Sequence, residues 1–279
     1  MSWETYKFRC SALGNLMTEP REKSPLVKHG EAVEKLKEYK DKYAETKNKE
    51  TKTAQALLEK IATQEENVRV LAEVKDQPHL SETVKTYLKE LWIAETYGRE
   101  KDIMNKYMKK GLLAEEDSIT LLTKVTGRFY VKNEEHFSNE YIKGTPDIVD
   151  ADSIIDIKTS WDLFTFGKAD VTKDYYWQLM GYMWLTGKKR AYLDYCLVDA
   201  PYELIQDELR KLSWKMMMID TQDPLYLEAE EKIEHAMTFG DIPPNIRVKT
   251  FHVDFSYNDI EALKKRIEEC RNYLSNLTL

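Results

Sequence analysis

Gly144-Thr-Pro-Asp147, followed nine residues later by Asp156-Ile157-Lys158, is the stretch of sequence that decides the fold. Side chains two apart on a β-strand point to the same face, so Asp156 and Lys158 are expected to project side by side. Asp147 is expected to reach the same spot from the neighbouring strand, across a short turn. Hard divalent ions such as Mg²⁺ prefer carboxylate oxygens, and a lysine beside a bound metal can orient or help deprotonate an attacking water. The pattern is therefore typical of a site for phosphodiester hydrolysis.

The strand that carries Asp156 and Lys158 is otherwise apolar. Isolated Asp-x-Lys sequences are common and usually mark an exposed strand with a surface ion pair of little energetic value. Here Ile154, Ile155 and Ile157 place the charged pair near a buried sheet. Charges in such a position need ionic partners or a bound metal, which favours the metal site over the surface ion pair.

A third acidic residue is suggested by helical spacing. Glu115 shares a predicted helix face with Leu112, Ile119 and Leu122, whereas Glu116 is expected to be more exposed. A glutamate that faces the sheet would complete a cage of carboxylates. Its side chain could equally extend to the surface, and the helical spacing alone leaves both alternatives open.

A later aromatic helix supplies a possible polar partner for the lysine. Gln178 and Tyr182 are four residues apart and therefore share a helical face. A glutamine there could contact phosphate, the attacking water or the lysine. The neighbouring Trp177 and Trp184 are expected to be core residues.

The rest of the sequence predicts a mixed sheet flanked by helices. A Lys- and Glu-rich stretch between residues 30 and 71 predicts two amphipathic helices that can pair as a hairpin. They are expected to serve as a solvated arm or as an arm that binds a partner or guides DNA. A helix is predicted from its N-cap, Ser81, to Lys110, with Gly111 as its terminator. Strands are predicted at residues 128–131, 140–143, 147–149, 153–158, 191–198 and 246–255. The other helices are predicted at residues 112–125, 174–186, 203–217, 224–238 and 258–277.

Composition limits the classes of function. The 279 residues include 42 Lys plus Arg against 49 Asp plus Glu, a formal net charge of −7, so DNA binding requires a local basic surface. The apolar content of 42% excludes wholesale disorder. Cys10, Cys196 and Cys270 are odd in number and far apart, which fits neither a disulfide framework nor a zinc knuckle. The polar N-terminus and the absence of an apolar run of roughly 20 residues predict a soluble, cytoplasmic protein with no membrane partner.

The motifs, in this order, resemble the PD-(D/E)xK nuclease superfamily, and in particular the branch of lambda-type phage exonucleases and YqaJ-like viral recombinases. The resemblance rests on Gly144-Thr-Pro-Asp147, Asp156-Ile157-Lys158 and the pair Gln178 and Tyr182. It extends to residues 111–127, 158–166 and 178–186 and to the N-terminal stretch 10–21. It implies an α/β fold with a restriction-endonuclease-like mixed sheet flanked by helices and a helical N-terminal insertion. It also implies one nuclease domain over residues 1–279, with the charged insertion at about 26–105 and the catalytic core at about 106–200.

The resemblance assigns roles to individual residues. It implies four metal ligands: Glu115, Asp147, Asp156 and the backbone carbonyl oxygen of Ile157. It selects Glu115 over Glu116, makes Lys158 the catalytic lysine with Gln178 as its polar partner, and gives Tyr182 a supporting position. The implied cofactor is Mg²⁺, as a pair of ions, with Mn²⁺ as a substitute.

The resemblance also implies a pocket for a terminal phosphate. Ser11 and Thr145 occupy the positions at which the family binds the 5′-phosphate of DNA. The family arginine that precedes this serine has no counterpart here, so Arg9 is the substitute candidate. The alternative is that Ser11 caps a helix and that Arg9 is solvated.

The activity implied is 5′-to-3′ digestion of linear duplex DNA in phage-type recombination or DNA processing. A ring-like homo-oligomer, a single-strand annealing protein as partner and a bacterial host are implied as well. Two alternatives remain open because fold does not decide substrate. One is a structure-specific or sequence-nonspecific endonuclease on the same fold, and the other is a non-catalytic DNA-binding protein. Retention of the acids together with Lys158 argues against the second.

Overall fold

A computed structural model of the chain describes residues 2–77, 79–99, 101, 104–217 and 221–278. Contacts divide it into two units, one of residues 1–4, 16–96 and 266–279 and the other of residues 5–15 and 97–265. The helices are α1 (Leu13–Leu16), α2 (Pro25–Glu45), α3 (Lys52–Val74), α4 (Glu82–Tyr97), α5 (Lys106–Leu113), α6 (Glu115–Thr126), α7 (Leu163–Gly167), α8 (Lys173–Thr186), α9 (Tyr202–Met216), α10 (Pro224–Met237) and α11 (Tyr257–Ser275). The strands are β1 (Phe8–Arg9), β2 (Phe137–Ser138), β3 (Ile142–Gly144), β4 (Ile148–Val149), β5 (Ser153–Thr159), β6 (Arg190–Cys196) and β7 (Val248–Asp254).

Helices α2 and α3 of the first unit form the hairpin that the apolar spacing predicts. Each begins at a capped residue: Ser24 accepts a hydrogen bond from the Val27 amide, and Thr51 accepts one from the Ala54 amide. The Gln64 side-chain amide donates across the hairpin to the Ala32 carbonyl oxygen at 3.0 Å. The predicted helical N-terminal insertion is therefore confirmed. Its role as a solvated arm or as an arm that binds a partner or guides DNA stays a prediction.

The single helix predicted from Ser81 to Lys110 is wrong. Helix α4 ends at Tyr97, and Gly98 then adopts a left-handed backbone with φ 62°, which stops a helix. Asn105 caps a new helix, α5, by accepting hydrogen bonds from the Tyr107 and Met108 amides. Gly111 lies inside α5 and terminates nothing.

The helix predicted at residues 112–125 is also divided. Ala114, with φ −107° and ψ 16°, ends α5 and precedes the first residue of α6. Leu112 consequently belongs to α5 and is 66% exposed, so it does not share the apolar face of α6. Gly127, with φ 69°, ends α6 as predicted.

Two sheets lie in the second unit. In the first, β3 pairs in parallel with β1 and antiparallel with β2. In the second, the order is β4-β5-β6-β7, with β5 and β6 parallel and the outer pairs antiparallel. Strand β5 therefore has a partner on each side, which buries it, and the predicted α/β class with mixed sheets is confirmed.

One face of the second sheet is covered by α6. Ile119 and Leu122 of α6 pack with Ile155 and Ile157 of β5 in one buried cluster. The strand predicted at residues 128–131 is absent, since these residues have no strand partner in the described chain. Phe129 in this segment is 85% exposed, so its β-type composition reflects local propensity without a sheet to join. None of the described helices is long and apolar enough to cross a membrane.

Candidate functional site

Asp156 and Lys158 of β5 lie side by side, as their two-residue spacing predicts. Asp156 is 1% exposed, and its Oδ2 lies 2.6 Å from the Lys158 Nζ. This oxygen accepts no hydrogen bond of normal geometry from the described residues. The Lys158 ammonium is therefore its partner among the described residues, and this ion pair compensates the buried charge of Asp156.

Asp147 reaches the same place from the turn before β4. Its Oδ2 accepts a hydrogen bond from the Ile157 amide at 2.6 Å, which fixes the carboxylate against β5. Asp147, Asp156, Ile157 and Lys158 line one cleft of about 540 Å³. The structure thus brings together the four residues of the predicted motif.

Gln178 of α8 connects the lysine to the acid. Its Oε1 lies 3.4 Å from the Lys158 Nζ, and its Nε2 donates to the Asp156 Oδ1 at 3.3 Å and to the Tyr182 hydroxyl at 3.1 Å. The shared helical face of Gln178 and Tyr182 is therefore as predicted. The amide holds both members of the ion pair in one orientation, and the ring of Tyr175, 4.8 Å from the Lys158 Nζ, packs on the ammonium.

The charges of the cleft are strongly coupled. Burial, together with the negative charge of Asp156, raises the pKa of Asp147 to about 7, although the Ile157 amide and Lys158 oppose the shift. Burial lowers the pKa of Lys158, but the neighbouring Asp156 outweighs burial, and the net shift is upward. Lys158 is therefore an ammonium at neutral pH. The acid pair holds more negative charge than Lys158 alone neutralises.

The pKa of Asp147 predicts a pH dependence of stability in the metal-free protein. Its pKa is raised from 3.8, so between about pH 4 and 7 the unfolded chain loses a proton that the folded chain keeps. The free energy of unfolding should therefore fall as pH rises through this window. Asp147→Asn should show a shallower fall in urea denaturation series at pH 5, 6 and 7.5. Identical pH dependence in both proteins would contradict the assignment. Asp194, whose pKa burial raises to about 6, contributes equally to both.

Glu115 lines the cleft, but its carboxylate is already paired with another side chain. Its Oε2 forms an ion pair with the Lys132 Nζ at 2.9 Å. As the side chains stand, no three His, Cys, Asp or Glu residues of the described chain converge closely enough to hold a metal ion. The donor chemistry of Asp147, Asp156 and the Ile157 carbonyl nevertheless suits Mg²⁺, and the two carboxylates and this carbonyl group belong to residues that line one cleft. Glu115 would join them through its other carboxylate oxygen or by releasing Lys132.

The three residues predicted to bind a terminal phosphate line a second cavity, of about 350 Å³. Arg9 ends β1, Ser11 lies in the short 3₁₀ turn Cys10–Ala12, and Thr145 follows β3. The Ser11 hydroxyl makes no hydrogen bond to a described residue, so it does not cap a helix. The role of the cavity stays a prediction.

Gly144 lines the second cavity, and the structure explains why it is glycine. A Cβ atom there would lie 2.7 Å from the Tyr182 Cε1 and 2.9 Å from the Cys10 Sγ, closer than real Cβ contacts. The Tyr182 ring lines the second cavity, and its hydroxyl bonds Gln178 in the cleft. Tyr182 therefore lines the second cavity and is hydrogen-bonded to a residue of the cleft.

Four residues at the two sites were missed by the sequence analysis. Lys132 and His136 lie in irregular backbone between α6 and β2, where no periodicity assigns a direction to a side chain. Tyr175 belongs to an aromatic run and Lys143 to a predicted strand, so neither stands out in the sequence. The spacing of Tyr175 from Gln178, three residues on a helix, was the one available signal.

The fold matches solved structures. A phage-related exonuclease from Haemophilus somnus 129PT is similar over 97% of this chain and 94% of its own, with 22% sequence identity and a TM-score of 0.62. An alkaline exonuclease from Laribacter hongkongensis is similar over 70% of this chain and 81% of its own, with 14% identity and a TM-score of 0.45. No protein-family model and no curated protein sequence matches the chain. The first likeness confirms the predicted fold.

Proposed function

We propose that this chain hydrolyses DNA from an end, 5′ to 3′ on linear duplex, in a reaction that requires Mg²⁺. The single observation that carries the proposal is that two acids, Asp147 and Asp156, and the Lys158 ammonium line one cleft, with Asp156 and Lys158 2.6 Å apart. Two acids and a lysine held in this way suit the hydrolysis of a phosphodiester. The shared fold with a phage-related exonuclease agrees with this chemistry.

The ions would be held by Asp147, Asp156, the Ile157 carbonyl oxygen and Glu115. Mg²⁺, as a pair of ions, would supply Lewis-acid stabilisation of the charge that develops during hydrolysis, and Mn²⁺ would serve in its place. Lys158 remains protonated and orients the attacking water from the side of β5. Gln178 keeps the ammonium in place by its contacts with both Lys158 and Asp156. Tyr182 supports Gln178 from the other side.

The second cavity would hold the 5′-phosphate of the DNA end. Arg9 offers a forked cation, and Ser11 and Thr145 offer hydroxyl donors, the groups suited to a phosphate with two negative charges. Recognition of the end at this cavity and cleavage in the neighbouring cleft would give exonuclease action.

The proposed partners follow from the same scheme. The substrate is linear duplex DNA, bound by a homo-oligomer whose basic side chains need to line only the DNA channel, which reconciles binding with a net charge of −7. A single-strand annealing protein would take up the product strand, in recombination or DNA processing in the cytoplasm of a bacterial host.

The alternative function is an endonuclease on the same fold. An exonuclease requires a free DNA end and an endonuclease does not, so this requirement distinguishes the two. Linear duplex labelled at either the 5′ or the 3′ end, and closed circular DNA of the same sequence, are incubated with Mg²⁺. The proposal predicts early release of the 5′ label, late release of the 3′ label and an intact circle. Cutting of the circle at the rate of the linear duplex would favour the endonuclease. No cleavage of either would favour a DNA-binding protein.

A further inference from the structure

The cavity beside Gly144 holds more positive charge than its three predicted residues supply. Lys143 of β3 also lines it, and the strand register pairs Lys143 with Arg9 of β1. Residues paired on neighbouring strands leave the sheet on the same face, opposite the buried Phe8 and Ile142 that precede them. The two cations are therefore held side by side by the backbone.

These cations lack counter-charges within the described part of the chain. Neither Arg9 nor Lys143 forms an ion pair with a residue in the described ranges, and no acidic residue of those ranges lines the cavity. Like charges on neighbouring strands repel each other, and an anion bound between them would relieve the repulsion. The arrangement is therefore built for an anion of more than one negative charge.

His136 adds a further nitrogen and acts on Thr145. Its Nδ1 lies 3.0 Å from the Thr145 Oγ1. When Nδ1 carries a hydrogen, it donates to the threonine oxygen, and the hydroxyl hydrogen of Thr145 is left free to point into the cavity. The histidine thus sets which way this hydroxyl donates.

We infer that Lys143 and His136 are specificity-determining residues that make the cavity select a terminal phosphate monoester over a terminal hydroxyl. Lys143 supplies the second fixed positive charge, and His136 holds the Thr145 hydroxyl as a donor to a phosphate oxygen. A monoester carries close to two negative charges at neutral pH, whereas an internal phosphodiester carries one. The inference rests on the proposed function, which brings a DNA end to this cavity but assigns the phosphate only to Arg9, Ser11 and Thr145.

The test measures binding without cleavage. Fluorescence anisotropy in EDTA gives the affinity of the full chain for a short duplex with a 5′-phosphate and for the same duplex with a 5′-hydroxyl. The unmodified protein should prefer the phosphate by about tenfold, and Lys143→Met and His136→Leu should each reduce that preference about fivefold. His136→Asn, whose amide can replace the Nδ1 donor, should retain most of it.

Lys7→Met is the matched control. Lys7 precedes β1 and contacts Ser138 on the same sheet, but it does not line the cavity. It should leave the preference unchanged. Equal affinity of the unmodified protein for both ends, or an unchanged preference in Lys143→Met and His136→Leu, would overturn the inference.

Inorganic phosphate supplies a measurement that needs no variant. It should compete with the 5′-phosphorylated duplex at concentrations that leave binding of the 5′-hydroxyl duplex unaffected once ionic strength is matched. Equal loss of both complexes would overturn the inference. The proposed function is tested separately, since it is contradicted if the chain does not degrade DNA in Mg²⁺. None of the binding measurements above depends on DNA degradation.

Discussion

Asp147→Asn should abolish the proposed Mg²⁺-dependent cleavage of linear duplex DNA, with an expected loss of about a thousandfold or more in rate. The amide keeps the shape of the carboxylate but removes a charged ligand. Calorimetric titration with Mn²⁺ should show a matching loss of affinity of at least about tenfold. The folded protein should survive, because the substitution removes repulsion between Asp147 and Asp156.

Asp194→Asn is the matched control. Asp194 is a buried acid on β6, in register with Ile157, and it accepts a hydrogen bond from Thr250. It does not line the cleft, so cleavage and Mn²⁺ affinity should persist in this variant. Undiminished Mn²⁺ affinity in Asp147→Asn would remove Asp147 from the site.

Asp156→Asn should abolish cleavage as well, but it is a less clean test. The substitution leaves the Lys158 ammonium without its ion-pair partner in a partly buried position. Removing one member of a buried pair costs about 3 kcal/mol of stability. Loss of activity in this variant is therefore interpretable only beside its thermal unfolding curve.

Lys158→Ala should lower the single-turnover rate of cleavage by about a hundredfold or more, the effect expected of a positioned charged group at the reacting atoms. DNA affinity should fall only modestly. Mn²⁺ affinity should be kept or increased, because a cation 2.6 Å from the Asp156 Oδ2 no longer competes with the metal. Lys158→Met, which keeps most of the side-chain volume, should behave in the same way.

Lys189→Ala controls for the loss of a lysine that packs on aromatic rings. The Lys189 Nζ lies 3.9 Å from the ring centre of Phe255, outside the cleft. Its removal should leave the single-turnover rate unchanged. A near-normal rate in Lys158→Ala, measured in parallel, would exclude the proposed role of Lys158.

Short-range periodicity explains what could be predicted from the sequence. The alternation of a strand places Asp156 beside Lys158, and one helical turn places Gln178 beside Tyr182, whatever the rest of the chain does. Both arrangements need only local backbone geometry. A stretch of about forty residues is therefore enough to predict the metal site.

Features that depend on distant contacts could not be predicted in this way. The break at Ala114 turns Leu112 away from the face that had been used to place Glu115, and the partner of Glu115, Lys132, comes from irregular backbone. Gly98 ends a helix that its composition would have continued. His136 reaches Thr145 only because β2 pairs with β3.

Digestion of end-labelled linear duplex by the unmodified chain, in Mg²⁺ and in EDTA, tests the central claim most directly. Labelled nucleotides should be released in Mg²⁺ and not in EDTA, and activity should return when excess Mg²⁺ or Mn²⁺ is added. Equal release in EDTA, or none with either metal, would contradict a metal-dependent nuclease site at Asp147, Asp156 and Lys158.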